Sequence, residues 1–281
     1  MGSSRAGAPV AYATSTAYEV ANIGDGWTNG ITFPFDGSAG FQINDDLGNN
    51  SLVPSTVTIE EIGLDLRLFK SRLNIDFSYY HRLADKQILA VPIANSTGFN
   101  SSFLNSEELE TNGYEVFMNA KVVDDDNFNY NLGVNFDKSE TIVNTLSEGV
   151  ESQYLGGFVI YNIPGERFGQ IYGGTFLRDN KGNIIIDDNP DSNNYGYQIA
   201  DSELKVIRDP TPDFTIGFNN TLNYKNMSLN FLFEWKKGGQ MWNGVDWALT
   251  WVVTAKQTED RGTQRIIEGV KQSDGSPNDI I

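Results

Sequence analysis

The residue types that most often carry catalysis or bind metals are scarce in this chain. It has no cysteine and a single histidine, His81. Disulfides, thiolate metal sites and cysteine nucleophiles are therefore excluded, and His81 has no second histidine with which to form a metal pair or a conventional triad. His81 follows Tyr79 and Tyr80 at a predicted strand end, so we expect an interfacial polar residue. We expect neither enzymatic activity nor a cofactor.

An acidic segment has part of the pattern of a calcium loop. Asp187, Asn189, Asp191 and Asn193 alternate as the first ligands of such a loop do. Pro190 interrupts the series, and the glycine and glutamate that the loop needs further along are missing. We interpret the segment as an acidic, solvated loop and keep calcium binding as the alternative.

Three tryptophans, Trp242, Trp247 and Trp251, lie close together after Gly238-Gly239. Indole rings can stack on the faces of sugars, and they also anchor proteins at membrane interfaces. The three residues are therefore candidates for substrate contact, with interfacial anchoring as the other interpretation.

Alternation with a period of two residues predicts six β-strands. In the first, 61–69, Ile62, Leu64, Leu66 and Leu68 share one face, and polar residues or glycine occupy the other. The pattern recurs at 73–79, 114–122, 128–136, 214–224 and 229–235. Short breaks join these strands into three hairpins. The connections between hairpins, 82–112 and 138–211, are much longer.

Short turns at one end of the strands and long connections at the other are typical of transmembrane barrels. A strand of about 11 residues, tilted by about 40°, rises about 28 Å, which matches the hydrocarbon layer. The sequence therefore predicts an all-β fold, an antiparallel transmembrane β-barrel segment with long extracellular loops. The barrel is incomplete, because six strands are fewer than the eight of the smallest membrane barrels.

A soluble β-sandwich also alternates one buried face with one wet face. A secreted carbohydrate-binding module of that kind is therefore the alternative. Two observations favour the barrel: the polar faces are rich in Asn, Ser and Thr, and aromatic residues lie near strand ends. In a barrel, the charged residues of the polar faces would line the lumen, whereas in a sandwich they would form an ordinary solvated surface; they are Glu61, Asp65, Arg67, Asp76, Glu115, Lys121 and Glu234.

Charge and hydropathy exclude further classes. The net charge of −17, from 20 Lys and Arg against 37 Asp and Glu, argues against a nucleic-acid partner. The hydrophobic share of 39% argues against a disordered acidic polymer. The first ten residues lack the apolar run of a signal peptide, and no segment is long enough for a membrane-spanning helix.

Short motifs follow one another along most of the chain. They are Ser51–Phe69 with its Leu-Val-Pro and Glu-Ile-Gly, Arg72–Tyr80, Ser96-Thr-Gly98, Asn112-Gly-Tyr-Glu115, Gly173-Gly174, Arg178–Ile184, Asp209–Gly217 with its Pro-Thr-Pro-Asp-Phe, Asn223-Tyr-Lys225 and Lys237-Gly-Gly239. In this order they resemble the SusC/RagA family of TonB-linked outer-membrane transporters, although Ser55 stands where the family has Glu. The resemblance covers the later part of the barrel domain.

This resemblance implies that residues 1–281 are part of a TonB-dependent receptor β-barrel domain, with the plug, the TonB box and the final strands absent from this chain. It implies import of a nutrient, an oligosaccharide or an oligopeptide, with energy from the TonB complex acting through the plug. It also implies a SusD-like surface lipoprotein that closes over the extracellular loops. The protein would lie in the outer membrane, in contact with its lipid, and would make or break no bond.

Overall fold

The computed structural model describes residues 1–6, 13–24, 30–157 and 159–281. Strands dominate these residues, and the helices are α1 (Gly244–Trp251) and two 3-10 turns, Asn95–Thr97 and Lys256–Thr258. No helix in the described ranges is both long and apolar enough to cross a membrane. The strands are β1 (Gly2–Ala6), β2 (Tyr18–Val20), β3 (Asn22–Ile23), β4 (Ile31–Thr32), β5 (Phe41–Ile43), β6 (Asp46–Leu47), β7 (Ser55–Leu68), β8 (Leu73–Pro92), β9 (Ser101–Asp124), β10 (Phe128–Thr145), β11 (Gln153–Gly156), β12 (Ile160–Asn162), β13 (Gln170–Gly173), β14 (Ile185–Ile186), β15 (Lys205–Arg208), β16 (Pro212–Tyr224), β17 (Met227–Gly238) and β18 (Val270–Lys271).

The main sheet has the order β1-β7-β8-β9-β10-β16-β17, with β6 beside β9. The long strands from β7 to β10 and β16 pair antiparallel with their neighbours. All six predicted strands are present, and they are adjacent in the predicted order. The all-β fold with antiparallel strands is therefore confirmed.

The predicted connection 82–112 is wrong in its extent. Strand β8 continues to Pro92 and β9 begins at Ser101, so the link is 93–100. Backbone hydrogen bonds extend a ladder whether or not its side chains alternate in polarity, and beyond Arg82 they no longer do, as the apolar run Ile88-Leu-Ala-Val91 shows. The remaining links keep the predicted asymmetry, with 69–72, 125–127 and 225–226 at one end and 146–211 at the other.

Pairing across the main sheet groups the side chains of the alternating segments into two faces. We call them the apolar face and the polar face. The rows of the apolar face are Ile62, Tyr79, Tyr114 and Lys138; Leu64, Phe77, Val116, Phe136 and Ile216; Leu66, Ile75, Met118, Val134 and Phe218; and Leu68, Leu73, Ala120, Leu132 and Asn220. The rows of the polar face are Glu61, Tyr80, Gly113 and Ser139; Gly63, Ser78, Glu115, Asp137 and Thr215; Asp65, Asp76, Phe117, Asn135 and Gly217; and Arg67, Asn74, Asn119, Gly133 and Asn219.

The apolar face is open rather than packed into a core. Ile62 is 74% exposed and Phe233, on β17, is 64% exposed. A sandwich would bury this face against a second sheet. An apolar face of this kind suits lipid instead, as in the barrel interpretation.

The chain forms two compact units. The first comprises 1–153, 162–168 and 213–237 and contains the main sheet. Its buried hydrophobic residues lie far from the short turns and include Val57, Ala84 and Val143. Segment 162–168 extends the sheet there, because the Val143 amide donates to the Glu166 carbonyl at 2.9 Å.

The second unit comprises 154–161, 169–212 and 238–281. It contains helix α1, the antiparallel pair β13 and β15, and the parallel pair β14 and β18. Ile186, on β14, is fully buried and belongs to its small core. This unit accounts for most of the long predicted connection 138–211.

Candidate functional site

A cavity of about 310 Å³ opens on the polar face of the main sheet. Ser78, Glu115 and Asp137 occupy neighbouring strands in one row, and the next row carries Asp76 and Phe117. All five residues line the cavity, together with Val116, Asn135 and Phe136. Three carboxyl groups beside one phenyl ring make a wall that can accept hydrogen bonds and attract positive charge.

Three more of the predicted lumen residues, all on β7, border this wall. Asp65 lies directly across from Asp76, and Arg67 Nη2 pairs with Asp65 Oδ2 at 3.1 Å. The Ser78 hydroxyl donates to Glu61 Oε1 at 3.0 Å. The arginine therefore offsets part of the repulsion between the two aspartates, which like charges in a cross-strand pair would otherwise show.

Lys121 and Glu234 complete the predicted set. Lys121 follows Asn119 by two residues on β9, and its amide donates to the Arg72 carbonyl at 2.8 Å. Glu234 Oε1 pairs with Lys236 Nζ at 3.2 Å. Thr215 belongs to the polar face, so the preceding residue Phe214 and the Trp235 ring that contacts it lie on the apolar side. Glu234, the neighbour of Trp235, therefore faces the polar side. The pairing thus brings the seven predicted residues to one face.

Sequence reasoning missed Asp137 and assigned no role to Phe117. The predicted strand ended at Phe136, but β10 continues, and one more step of the same alternation would have placed Asp137 beside Glu115. Phe117 breaks the alternation, and it lies 50% exposed on the polar face, where its ring lines the cavity. Its position out of phase with the alternation was the signal that could have found it.

The three tryptophans lie together on and beside helix α1. Trp247 and Trp251 are four residues apart, so they share one helix face. Their ring centroids are 6.0 Å apart with an interplanar angle of 6°, and the Trp242 ring lies 5.7 Å from that of Trp247. Asn243 Oδ1 caps the helix by accepting from the Asp246 amide at 3.1 Å. The sequence prediction included no helix, although this cap was a usable signal.

Trp251 is the most open of these rings. It is 69% exposed, against 44% for Trp247. Helix α1 buries none of its residues. An exposed indole at the end of a stack can accept a further flat or ring-shaped partner.

His81 and the acidic segment 187–193 show local hydrogen bonding. His81 Nε2 lies 3.3 Å from Glu110 Oε1. The Asp187 and Asn189 side chains accept from the amides of Asn189 and Asp191, at 3.0 and 3.1 Å. Within the described ranges, no group of three or more His, Cys, Asp or Glu residues is placed to hold a metal ion.

Comparison with known proteins identifies relatives of this chain. No family model matches the chain. TonB-dependent receptor P3 of Formosa agariphila is 28% identical over 254 residues, which cover 82% of this chain and 24% of the receptor. TonB-dependent receptor SusC of Bacteroides thetaiotaomicron is 24% identical over 195 residues, covering 65% of this chain and 19% of that receptor.

A solved structure shares the fold. The RagAB peptide importer in its closed-closed state aligns with a TM-score of 0.59 at 18% identity, covering 81% of this chain and 25% of that one. The chain thus spans about a quarter of the length of the proteins that it matches. These comparisons confirm the predicted resemblance to SusC/RagA transporters, the predicted barrel fold and the predicted outer-membrane location. The chain is a homologue of TonB-dependent receptors, SusC among them, and it shares its fold with part of the RagAB transporter.

Proposed function

We propose that this chain forms part of the barrel wall and loops of a transporter that imports an oligosaccharide or an oligopeptide across the outer membrane. The observation that carries the proposal is the two-faced main sheet. One face offers exposed apolar side chains to lipid, and the other offers carboxyl, amide and hydroxyl groups to a hydrated interior. Residues 1–281 as a whole belong, in this proposal, to the barrel domain of a longer receptor.

The polar face would act by binding and guiding the cargo. Asp76, Glu115 and Asp137 line the cavity and accept hydrogen bonds from hydroxyl, amide or ammonium groups. Phe117 adds an apolar surface for a sugar ring or an apolar side chain. Both an oligosaccharide and an oligopeptide carry such groups, and the solved RagAB structures are of a peptide transporter.

The three tryptophans would serve as a first contact for cargo in the second compact unit, which contains helix α1. Trp251 ends the stack and is the most exposed of the three rings. Stacking against an indole favours a sugar face over an extended peptide, so loss of the ring would weaken oligosaccharide binding most. Removal of Trp251 should leave the Trp242 and Trp247 pair in place, because those two rings contact each other directly.

Partners follow from the same assignment. We propose that a SusD-like surface lipoprotein covers the loop side and that the TonB complex supplies the energy through a plug. The chain itself would contribute no catalytic group. The soluble sandwich alternative requires the apolar face to be buried, and that face is open, with Leu64 and Leu229 53% and 58% exposed.

Growth of the source organism tests this function. A strain with the gene disrupted and the parent strain would be grown on a panel of polysaccharides and on peptide digests, each as sole carbon source. Import predicts that the disrupted strain loses growth on one substrate class and keeps normal growth on glucose. A TonB-deficient strain should show the same loss. Undiminished growth of the disrupted strain on every member of the panel would contradict the proposal.

A further inference from the structure

The apolar face ends in a row that mixes aromatic rings with a cation. Tyr79 and Tyr114 are cross-strand partners with ring centroids 5.0 Å apart, and Lys138 pairs with Tyr114 on the next strand. One step farther from the short turns, the same side of the sheet carries Glu60, His81, Asn112 and Glu140. Lys138 therefore lies where the aliphatic rows stop and the polar rows begin.

A second lysine lies at the same level, two strands away. Asp137 pairs with Thr215, so one step further along the ladder between β10 and β16 Phe214 lies opposite Lys138. Lys237 Nζ lies 5.9 Å from the centre of the Phe214 ring. The Trp235 ring meets the Phe214 ring edge-on at 5.2 Å. Lys138 and Lys237 thus flank Phe214 from its two sides.

The charges around this patch leave it positive. Glu140 is paired with Arg167 at 3.3 Å. Asp213 Oδ2 lies 3.9 Å from Lys237 Nζ, which is beyond hydrogen-bond distance. The Lys237 side chain is 59% exposed, and Lys138 is also exposed. Where the row crosses β10, β16 and β17, it therefore presents two ammonium groups and one loosely held counter-charge, the Asp213 carboxylate.

We propose that Lys138 and Lys237 bind the phosphate of a lipid headgroup, with the rings of Phe214 and Trp235 beside it at the headgroup level. Neighbouring strands are about 4.8 Å apart, so the two lysines are separated by about 10 Å, which long side chains span to reach one headgroup. Tyrosine and tryptophan rings prefer the headgroup level. The end with the long connections faces the cell exterior in membrane barrels, so the lipid belongs to the outer leaflet.

The occupant is a lipid rather than a free anion, because the adjoining surface is apolar. Below the lysines, Phe136 and Ile216 continue the same face toward the short turns. Acyl chains attached to a bound headgroup would lie along these residues and gain burial. A free phosphate would gain only the electrostatic attraction.

Native mass spectrometry of the full chain in detergent micelles tests the site. The probes are lipid A and the same lipid after enzymatic removal of its phosphate groups. The parent chain should bind the phosphorylated lipid at least tenfold more tightly. Each lysine near an anionic headgroup contributes about fivefold in affinity, so K138Q/K237Q should bring the two lipids to within about twofold of each other.

A matched control is available at the other end of the sheet. Lys225 Nζ lies 5.3 Å from the Tyr224 ring centre, in the short turn after β16. K225Q removes the same charge next to an aromatic ring on the opposite side of the membrane, and it should keep the parent's preference. Each variant must show the parent's mobility shift on boiling, which checks that it is folded.

Three outcomes of this comparison would overturn the proposal. They are equal binding of the two lipids by the parent, retention of the preference by the folded K138Q/K237Q variant, and loss of the preference in K225Q. Inorganic phosphate at a hundredfold excess over the lipid is added in a separate series. Retention of the complex supports a lipid headgroup site, and full displacement would instead indicate a free-anion site.

Discussion

The Tyr130 hydroxyl donates a hydrogen bond to Asn220 Oδ1 at 2.7 Å, within the apolar face of the main sheet. Asn220 is the polar residue that interrupts the alternation of β16, and it is only 7% exposed. The side-chain amide of Asn220 also donates to the Phe218 carbonyl at 3.0 Å. The interruption is tolerated because the polar groups of this side chain are satisfied within the sheet.

Removing the Tyr130 hydroxyl should therefore destabilise the chain. Tyr130→Phe leaves Asn220 Oδ1 without its donor in an apolar setting, at a cost of about 1 to 3 kcal/mol in the free energy of unfolding. Asn220→Leu in the same background should recover most of this loss, since no unsatisfied group remains. Urea titration in lipid vesicles, followed by tryptophan fluorescence, measures both. A double variant no more stable than Tyr130→Phe would refute the explanation.

Gly113 leaves room for the ring of Tyr80, its cross-strand partner, which lies over it. A Cβ at Gly113 would overlap the Tyr80 ring, whereas a Cβ at Gly133, on the same face, would meet Asn219 Cβ at 3.5 Å. Gly113→Ala should cost about 1 to 3 kcal/mol by overpacking, and Gly133→Ala should be close to neutral. Tyr80→Ala should remove the penalty of Gly113→Ala, which a double-mutant cycle on unfolding free energies will detect. Equal effects of the two alanine variants would contradict this account.

A charge on the apolar face should impair membrane insertion. Leu66 lies in the row with Ile75 and Met118, well inside the apolar face. Leu66→Arg should lower the stability of the membrane-inserted state by about 2 to 4 kcal/mol if this row is near the bilayer midplane. Asn119→Arg places the same charge on the polar face and should cost less than about 1 kcal/mol. The two variants are compared by their amounts in the outer membrane fraction and by their unfolding in vesicles. Equal effects at the two positions would contradict the prediction.

The turn at 179–183 should open in acid. Asp179 accepts from the Asn183 side chain at 2.9 Å and from the amides of Lys181 and Asn183 at 2.8 Å, and these bonds lower the pKa of the Asp179 carboxyl, with the Asn183 side chain as the largest cause. An acid with a lowered folded-state pKa stabilises the structure above its unfolded pKa and loses that contribution as pH falls through the folded value. Amide exchange at Gly182 and Asn183 should therefore accelerate, after correction for intrinsic rates, below about pH 4. Asp179→Ala should exchange fast at all pH values, and a pH-independent parent would be evidence against the effect.

Alternation made the main sheet predictable because the side-chain period of a strand is a local property of the backbone. Ile62 and Leu64 face opposite to Glu61 and Asp65 whatever the strand pairs with, so the lumen candidates could be assigned to one face in advance. The strand ends were less predictable. Beyond Arg82 and before Asn112 the polarity no longer alternates, and only the backbone ladder between β8 and β9 shows that the strands continue.

Pairing partners depend on contacts that are remote in sequence. Strand β16 pairs with β10 after a connection of more than sixty residues, and only this pairing sets Phe214 beside Lys138 and Asn220 within reach of Tyr130. The cavity on the polar face likewise needs residues from three strands. Side-chain periodicity is encoded in each short segment, whereas register arises from the hydrogen-bonded sheet as a whole, so the faces followed from the residues and the sites required the folded chain.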